Sequence, residues 1–364
     1  MTDHVSISSV LARAYRIPTE RPESDGTLQW DSTTLVLATV EGGGKKGVGY
    51  TYGHAVIAPY IHSALQAVVE GGNALDIAGI WARMDGVVRN DGKAGIAYQA
   101  ISAVDVALWD LKAKLLDLPL AELLGRARTE VAAYASGGFT SCPPDRLPDL
   151  ASQWTQQGFN QVKIKIGRRP EQDVDRVRRT RQGLGETAQL FVDANGAYSI
   201  RQALQMAEAF AAYGVRWYEE PRPSRDLDGL HFIRQRTPAG MQVAAGEYGY
   251  HLSYFRKMLA AGAVDVLQAD VSRCGGITGF LRVAALCAAF GRPFSSHCCP
   301  SLHLPAALAV PSFYTLEFFH DHVRIERMLF DGFREPKEGR LRLDDSRPGL
   351  GLTWKDQDAE PYAL

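Results

Sequence analysis

The stretch Gln161-Val162-Lys163-Ile164-Lys165-Ile166-Gly167 alternates apolar and cationic residues, the period-2 pattern of a β-strand. Lys163 and Lys165 then share one face, and Val162, Ile164 and Ile166 share the other. A solvated surface strand accounts for most Lys-x-Lys pairs. Two features argue against that here: the apolar packing expected around the strand, and the series of acidic strand ends that follows it. Two ammonium groups two residues apart also lower each other's pKa, which suits a base better than a structural contact.

Around this strand, from Val131 onward, short apolar segments alternate with helical ones. Strands are predicted at 131–136, 162–166, 190–192, 217–218, 243–245, 264–267, 294–296 and 315–318. Helices are predicted between them at 171–183, 199–213, 227–236, 252–261 and 277–290. About eight parallel strands buried on both faces by helices argue for a (β/α)₈-type barrel. A doubly wound sheet would need a glycine fingerprint after its first strand, and none is there.

The N-terminal part has a different rhythm. Strand signals at 5–16, 33–40 and 47–52 form a meander, the last two joined by the turn Glu41-Gly42-Gly43-Gly44-Lys45-Lys46. Those glycines lack the Gly-Lys-Ser/Thr of a phosphate loop. Pro18 to Trp30 reads as a long polar loop, the kind that covers something or is disordered. Helices are predicted at 54–69, 74–89 and 95–117, the last from Ile101, Val104, Leu108, Leu111 and Leu115 at 3- and 4-residue steps. This gives an α+β capping domain over 1–125 and a barrel over 126–330.

What ends each barrel strand points to chemistry. After Lys163 and Lys165 come Asp193 and Asn195, then Glu219, Glu247, Gln268 with Asp270, His297, and Glu317, about 20 to 28 residues apart. C-terminal strand ends of such a barrel converge on one mouth, where catalytic groups sit. Any one acidic residue could be a helix cap or a surface salt bridge; seven successive polar strand ends are hard to explain that way. Asp193, Glu219 and Glu247 on successive strands make a hard, all-oxygen site, for which Mg²⁺ is the expected ion. Glu219 and Glu220 compete for the second place, and strand alternation favours neither. Asp270 beside His297 would fix the imidazole tautomer of a general acid/base. His320 and His322 read as a post-strand loop, and His62 and His231 as helix surface.

Composition limits the partners. Forty basic and 41 acidic residues leave a formal charge of -1, with no electrostatic footprint for nucleic acid or an anionic membrane. No apolar run approaches the ~20 residues of a membrane span. Five cysteines without framework spacing favour a reducing compartment, and the N-terminus shows no export signal, so a cytoplasmic protein is expected. The vicinal pair Cys298-Cys299 reads as free thiols.

The ordered set Lys-x-Lys, Asp-x-Asn, Glu-Glu-Pro, Gly-Glu, Gln-x-Asp, Ser-His and a final Glu resembles the mandelate racemase subgroup of the enolase superfamily over nearly the whole chain. The helix Ala103-Val104-Asp105-Val106-Ala107-Leu108-Trp109-Asp110 and the segment Pro119-Leu120 to Leu124-Gly125 add to the likeness. A Lys or His base with Mg²⁺ stabilising an enediolate is the established chemistry of that superfamily, not a reading of this sequence. The resemblance implies a modified (β/α)₇β barrel, with residues 331–364 returning to the cap. It implies Asp193, Glu219 and Glu247 as Mg²⁺ ligands, which selects Glu219 over Glu220. It makes Lys165 the base on one face of the substrate and His297, oriented by Asp270, the acid/base on the other. Lys163 would contact the substrate carboxylate, Asn195 would support the polar shell, and Glu317 would donate a hydrogen bond to that carboxylate. To donate, Glu317 must be protonated, which burial near other carboxylates favours. Trp30 and Tyr52, from the polar cap loops, are the expected further substrate contacts. The substrate is expected to be a small carboxylate, a sugar acid rather than an aromatic hydroxy acid because the covering loops are polar. Dehydration to a 2-keto-3-deoxy acid is the first expectation. Racemisation, epimerisation or lactone cycloisomerisation is the alternative, and a catalytically silent binding barrel ranks last. A homo-oligomer is expected.

Overall fold

The computed structural model describes residues 4–364. Three antiparallel strands, β1 (Ile7–Ser24), β2 (Gln29–Gly42) and β3 (Lys45–Tyr52), form the cap sheet. The β2–β3 turn is where expected, with Gly43 (φ 57°) and Gly44 (φ 73°) in the left-handed conformation a two-residue hairpin turn requires. The helix Tyr98–Leu115 lies directly on β3. Its approach depends on two glycines: a Cβ at Gly47 would stand 2.1 Å from the Ala107 carbonyl oxygen, and one at Gly49 2.2 Å from that of Ala103. The helices predicted at 54–69 and 74–89 form as residues 57–69, with a π turn at Ile61–Leu65, and as Ile77–Val87.

Residues 18–30 correct the sequence expectation of a loop. β1 and β2 continue as a two-stranded arm, pairing Glu23 with Trp30 and Ser24 with Gln29, so the true turn is only 25–28. The Asp25 carboxylate closes it by accepting from the amides of Thr27 and Leu28, both at 2.7 Å. Glu20, Arg21 and Pro22 are all exposed and the arm's buried residues, Glu23, Ser24 and Asp25, are polar, so its strand shows no hydrophobic alternation.

All eight predicted barrel strands form: β4 (Val131–Gly137), β5 (Gln161–Lys165), β6 (Gln189–Asp193), β7 (Val215–Glu219), β8 (Gln242–Ala245), β9 (Val266–Ala269), β10 (Phe294–Ser296) and β11 (Leu316–Phe319). Backbone pairing runs in parallel from β10 back through β4 and on to β11. Serines help close the remaining seam: Ser295 Oγ donates to the Thr315 carbonyl at 2.6 Å, and Ser296 Oγ accepts from the Glu317 amide at 3.2 Å. Tyr134, Phe191, Trp217, Ala244 and Val266 fill the interior as an apolar layer, with Phe191 stacked on Trp217 at 5.0 Å. One step along each strand, on the same inward parity, comes the polar layer.

Three ten-residue helices escaped prediction: Leu147–Gln156, Pro300–Ala309 and His320–Leu329. The second carries Pro305 inside it, which masks the pattern. The third places His320 and His322 on a helix, where the sequence predicts a loop. It faces the cap: Tyr52 stacks on His322 at 3.5 Å, and Arg324 donates to the Pro18 carbonyl at 2.9 Å. At the chain end, Phe330–Asp331 pairs with Thr353–Trp354, Trp354 packs 5.0 Å from Tyr15, and the Leu364 amide donates to the Ala14 carbonyl. No helix among the described residues is long and apolar enough to cross a membrane.

The arm is docked on the barrel. A Cβ at Gly26 would meet the carbonyl oxygens of Ala194 at 2.3 Å and Ile166 at 2.8 Å, so the arm's tip lies on the ends of β6 and β5. The Thr140 amide donates to the Ser24 carbonyl, and Thr33 bonds Asp321. Glu23, on the arm, is 6% exposed and accepts from Trp30 Nε1 at 3.0 Å. Burial, then the nearby Asp321, pushes its carboxyl up from 4.5 to about 8. The folded protein therefore holds more protons than the unfolded chain between those values. Glu23 should make stability fall as pH rises from about 4.5 through 8. Glu23→Gln is expected to flatten that fall in Tm measured by calorimetry across this range; an unchanged slope would assign the decline to other groups.

Candidate active site

Strand register builds the site. Lys165 lies opposite Asp193 on β6, which lies opposite Glu219 on β7, while Lys163 lies one inward step deeper, beside Ser136 and Phe191. The outward residues Val162 and Ile164 are fully buried under the helices, so the expectation of a buried rather than solvated strand holds. Asp193, Glu219 and Glu247 bring one carboxylate oxygen each within 4.8 Å of one another, and all three are buried. Lys165 Nζ stands 2.5 Å from Asp193 Oδ2 at one side of this trio. His297 Nε2 stands 3.3 Å from Glu247 Oε2 at the other. His297 Nδ1 bonds Asp270 Oδ2 at 2.8 Å. Burial alone would raise the Asp270 carboxyl, but its hydrogen bond to His297 and the nearby Arg273 guanidinium together outweigh that and hold it well below the usual range.

The charge balance is uneven. Five buried carboxylates (Asp193, Glu219, Glu220, Glu247 and Glu317) face two buried ammonium groups, Lys163 and Lys165. Lys163 is shared, 2.6 Å from Glu219 and 2.7 Å from Glu317. Burial pushes Glu219 well up, against the pull of Lys163, and pushes Glu220 up with help from Glu247. Buried carboxylates driven toward their protonated forms are a deficit of positive charge. Glu247 Oε2, Glu220 Oε1 and Asn195 Oδ1 are also buried without a hydrogen-bond partner. Unsatisfied hard oxygens around an all-carboxylate trio fit a divalent hard cation.

Lys163 has no exposed surface, and Glu219, Glu317 and the face of Tyr134 at 5.3 Å surround its ammonium. Glu317 accepts from Ser136 Oγ at 2.6 Å and from the Cys298 amide at 2.7 Å. Burial would raise its carboxyl, but Lys163, His297 and Lys165 together outweigh burial and hold it well below the usual range. Its contacts with Ser136, Cys298 and Lys163 are those of an acceptor. For Lys165, burial and Lys163 both lower the ammonium's pKa, yet Asp193, Glu247 and Glu317 together prevail and hold it above its ordinary range. Tyr52 stacks on His322, its hydroxyl buried without a hydrogen-bond partner. Trp30 remains on the arm, 5.6 Å from Phe139. Asn195 sits at φ 46°, its amide donating to Asp193 Oδ1 at 2.8 Å.

Three contributors were not singled out from the sequence. Trp217 Nε1 donates to Glu219 Oε2 at 2.8 Å, and Ser136 holds Glu317; both have the inward parity of their strands, which was the available signal. Arg273 follows Asp270 by three residues. Its guanidinium donates to the Glu247 carbonyl at 3.1 Å, lies 3.5 Å from the Asp270 carboxylate and rests 5.2 Å from the Tyr248 ring.

Residues 12–125 match the model of the mandelate racemase/muconate lactonizing enzyme N-terminal domain, and residues 146–359 match that of the enolase C-terminal domain-like family. The chain belongs to the mandelate racemase/muconate lactonizing enzyme family. Within it, L-talarate/galactarate dehydratase of Salmonella typhimurium is 31% identical over 319 residues, covering 86% of this chain and 78% of that protein. A mutant of that dehydratase has been solved liganded with Mg and L-glucarate; it is 28% identical, with a TM-score of 0.92, over 99% of this chain and 92% of that one. The 3,6-anhydro-alpha-L-galactonate cycloisomerase of Streptomyces coelicolor is 34% identical over 313 residues, 84% of this chain and 86% of that protein. The crystal structure of a mandelate racemase/muconate lactonizing enzyme-like protein from Rubrobacter xylanophilus is 50% identical, with a TM-score of 0.96, over 99% of this chain and 100% of that one.

Gly26 tests how far this family member depends on its docked arm. Gly26→Val should force the tip off Ala194 and Ile166, which adjoin Asp193 and Lys165. Misplacement on the ångström scale is expected to lower kcat/KM by up to ~10²-fold, with Tm shifted by only about 5 °C or less. Wild-type kinetics in a folded variant would show that the tip does not position the site.

Proposed function

We propose that this protein is an Mg²⁺-dependent enzyme that removes the proton α to a carboxylate and dehydrates a sugar acid, an aldonate or aldarate, to a 2-keto-3-deoxy acid. The observation that carries the proposal is the placement of two proton-transfer groups, Lys165 and the His297–Asp270 pair, at opposite sides of one carboxylate trio. Asp193, Glu219 and Glu247 would hold the Mg²⁺, which, when bound, supplies Lewis-acid stabilisation of the developing oxyanion. Lys165 would take the α-proton as base, which requires its neutral form; engagement of Asp193 by the cation would weaken the pairing that holds the ammonium protonated. His297, its Nδ1 engaged by Asp270, presents Nε2 to the cavity and would deliver a proton to the departing β-hydroxyl. Lys163, locked between Glu219 and Glu317, would steady the carboxylates and oppose protonation of Lys165 without meeting the substrate. Asn195 would complete the polar shell, and Trp30 would contact the substrate from the arm.

Magnitudes support a shared burden. A positioned base supplies about 10²–10⁴-fold, roughly 3–5 kcal/mol, whereas enzymes generally lower barriers by ~8 kcal/mol or more. Proton transfer alone falls short, so charge stabilisation at the carboxylate trio must contribute the remainder. Around the mouth, Tyr248 and Arg273 offer polar contacts on the Glu247 side, which suits a polyhydroxylated acid; on the Lys165 side Phe319 lies 5.9 Å from the ammonium. The dehydratase relative supports the same class.

The second reading is an isomerase, an epimerase or lactone cycloisomerase, and the similarity to a cycloisomerase is what favours it. Incubating a sugar-acid library with Mg²⁺ in deuterated water separates the two. Keto-acid release is expected; deuterium incorporation with inversion, or lactone consumption, and no keto acid would replace the lyase by the isomerase. Lys165→Ala and His297→Asn should each lower turnover by ~10²–10⁴-fold, and unchanged turnover in both would refute the two-group assignment. Chelation with EDTA should abolish activity and added Mg²⁺ restore it, whereas activity that survives metal removal would sink the metal role.

A further inference from the structure

Beside the all-oxygen trio lies a second set of ligating atoms with a different chemistry. A ring nitrogen of His297, Cys298 Sγ and a Glu317 carboxylate oxygen lie within 4.8 Å of one another, all on buried residues. Cys298 Sγ is 3.3 Å from His297 Nε2. In a tetrahedral zinc site, Zn–N of ~2.0–2.1 Å and Zn–S of ~2.3 Å place the nitrogen and sulfur about 3.6 Å apart. The pair is thus already close to the spacing of two zinc ligands.

The histidine is also oriented as a metal ligand would be. Its Nδ1 is engaged by Asp270 at 2.8 Å, which leaves Nε2 facing Cys298 Sγ and Glu247 Oε2, each at 3.3 Å. A carboxylate–histidine–metal arrangement of this kind fixes the ring and raises its donor strength. The thiol is held in place by unusual backbone: Cys298 and Cys299 both adopt the left-handed conformation (φ 52° and 40°), and the Cys298 amide is anchored on Glu317 at 2.7 Å. The two sulfurs are divided between different partners. Cys298 Sγ faces His297, while Cys299 Sγ lies 3.6 Å from His322 Nδ1.

We propose that His297, Cys298 and Glu317 form a second cation site, selective for thiophilic divalent ions such as Zn²⁺, and that filling it silences the neighbouring centre. A nitrogen–sulfur–oxygen set prefers zinc or cadmium, while the carboxylate trio suits Mg²⁺, so the two sites sort ions by hardness. Binding follows from the geometry alone. Silencing rests on the proposed acid/base role of His297, because a metal on Nε2 removes the lone pair that would carry the proton. Such an enzyme would be activated by one class of divalent ion and inhibited by another at an adjoining position.

The test uses the full-length protein with saturating Mg²⁺ and Co²⁺ as a spectroscopic probe. One equivalent of Co²⁺ should give a thiolate-to-cobalt charge-transfer band in the near ultraviolet, which Zn²⁺ displaces. Cys298→Ser should abolish the band, and Cys299→Ser should keep it. In turnover assays, Zn²⁺ should inhibit the wild type, and Cys298→Ser should need at least ~100-fold more Zn²⁺ for the same inhibition. No band in the wild type, a band that survives Cys298→Ser, or one lost only in Cys299→Ser would overturn the site. A band with unaffected turnover would leave the site standing and overturn the role given to His297.

Discussion

The structure depends on sharing two buried ammonium groups among too many buried carboxylates. Lys163 is fully enclosed and reaches Glu219 and Glu317 at once, while Lys165 reaches Asp193. Without those cations, a barrel could not bury acidic groups at this density, because each unpaired charge removed from water costs several kcal/mol. With them, the balance is still short of positive charge, and burial forces Glu219 and Glu220 toward protonation. That shortfall of positive charge fits a divalent cation.

This constraint explains why the barrel interior is layered. An apolar floor of Tyr134, Phe191 and Trp217 sits below the ionised groups, and it contributes to them directly: the Trp217 indole donates to Glu219, and the Tyr134 ring faces Lys163. Period-2 alternation delivers floor and polar layer from the same strands. The two layers are one device. The floor excludes water and strengthens every charge interaction above it.

The cap acts on the same centre from the other direction. Its two-stranded arm rests on the ends of β5 and β6 through Gly26, and the helix His320–Leu329 binds cap and barrel through Tyr52, Thr33 and Arg324. A rigid barrel mouth covered by an arm with few buried apolar residues separates precise chemistry from adjustable access.

The sequence by itself determined the eight barrel strands, the inward face of Lys163 and Lys165, and the set of polar strand ends, because each is a local regularity of period two or of one βα unit. It also placed the β2–β3 turn and the long cap helix. Tertiary structure decided the rest. Whether residues 18–30 were loop or strand depended on pairing across an exposed arm, which leaves no hydrophobic alternation to read. The charge around Glu317 depended on Lys163, which is 154 positions away in the chain and 2.7 Å away in space. The enclosure of Tyr52 depended on a helix whose start reads as a loop. The Glu219–Glu220 ambiguity was of the same kind: both are buried, and only the distances in space join Glu219 to Asp193 and Glu247. Protonation states and exposure are properties of neighbours brought together by folding, and strand periodicity carries no record of them.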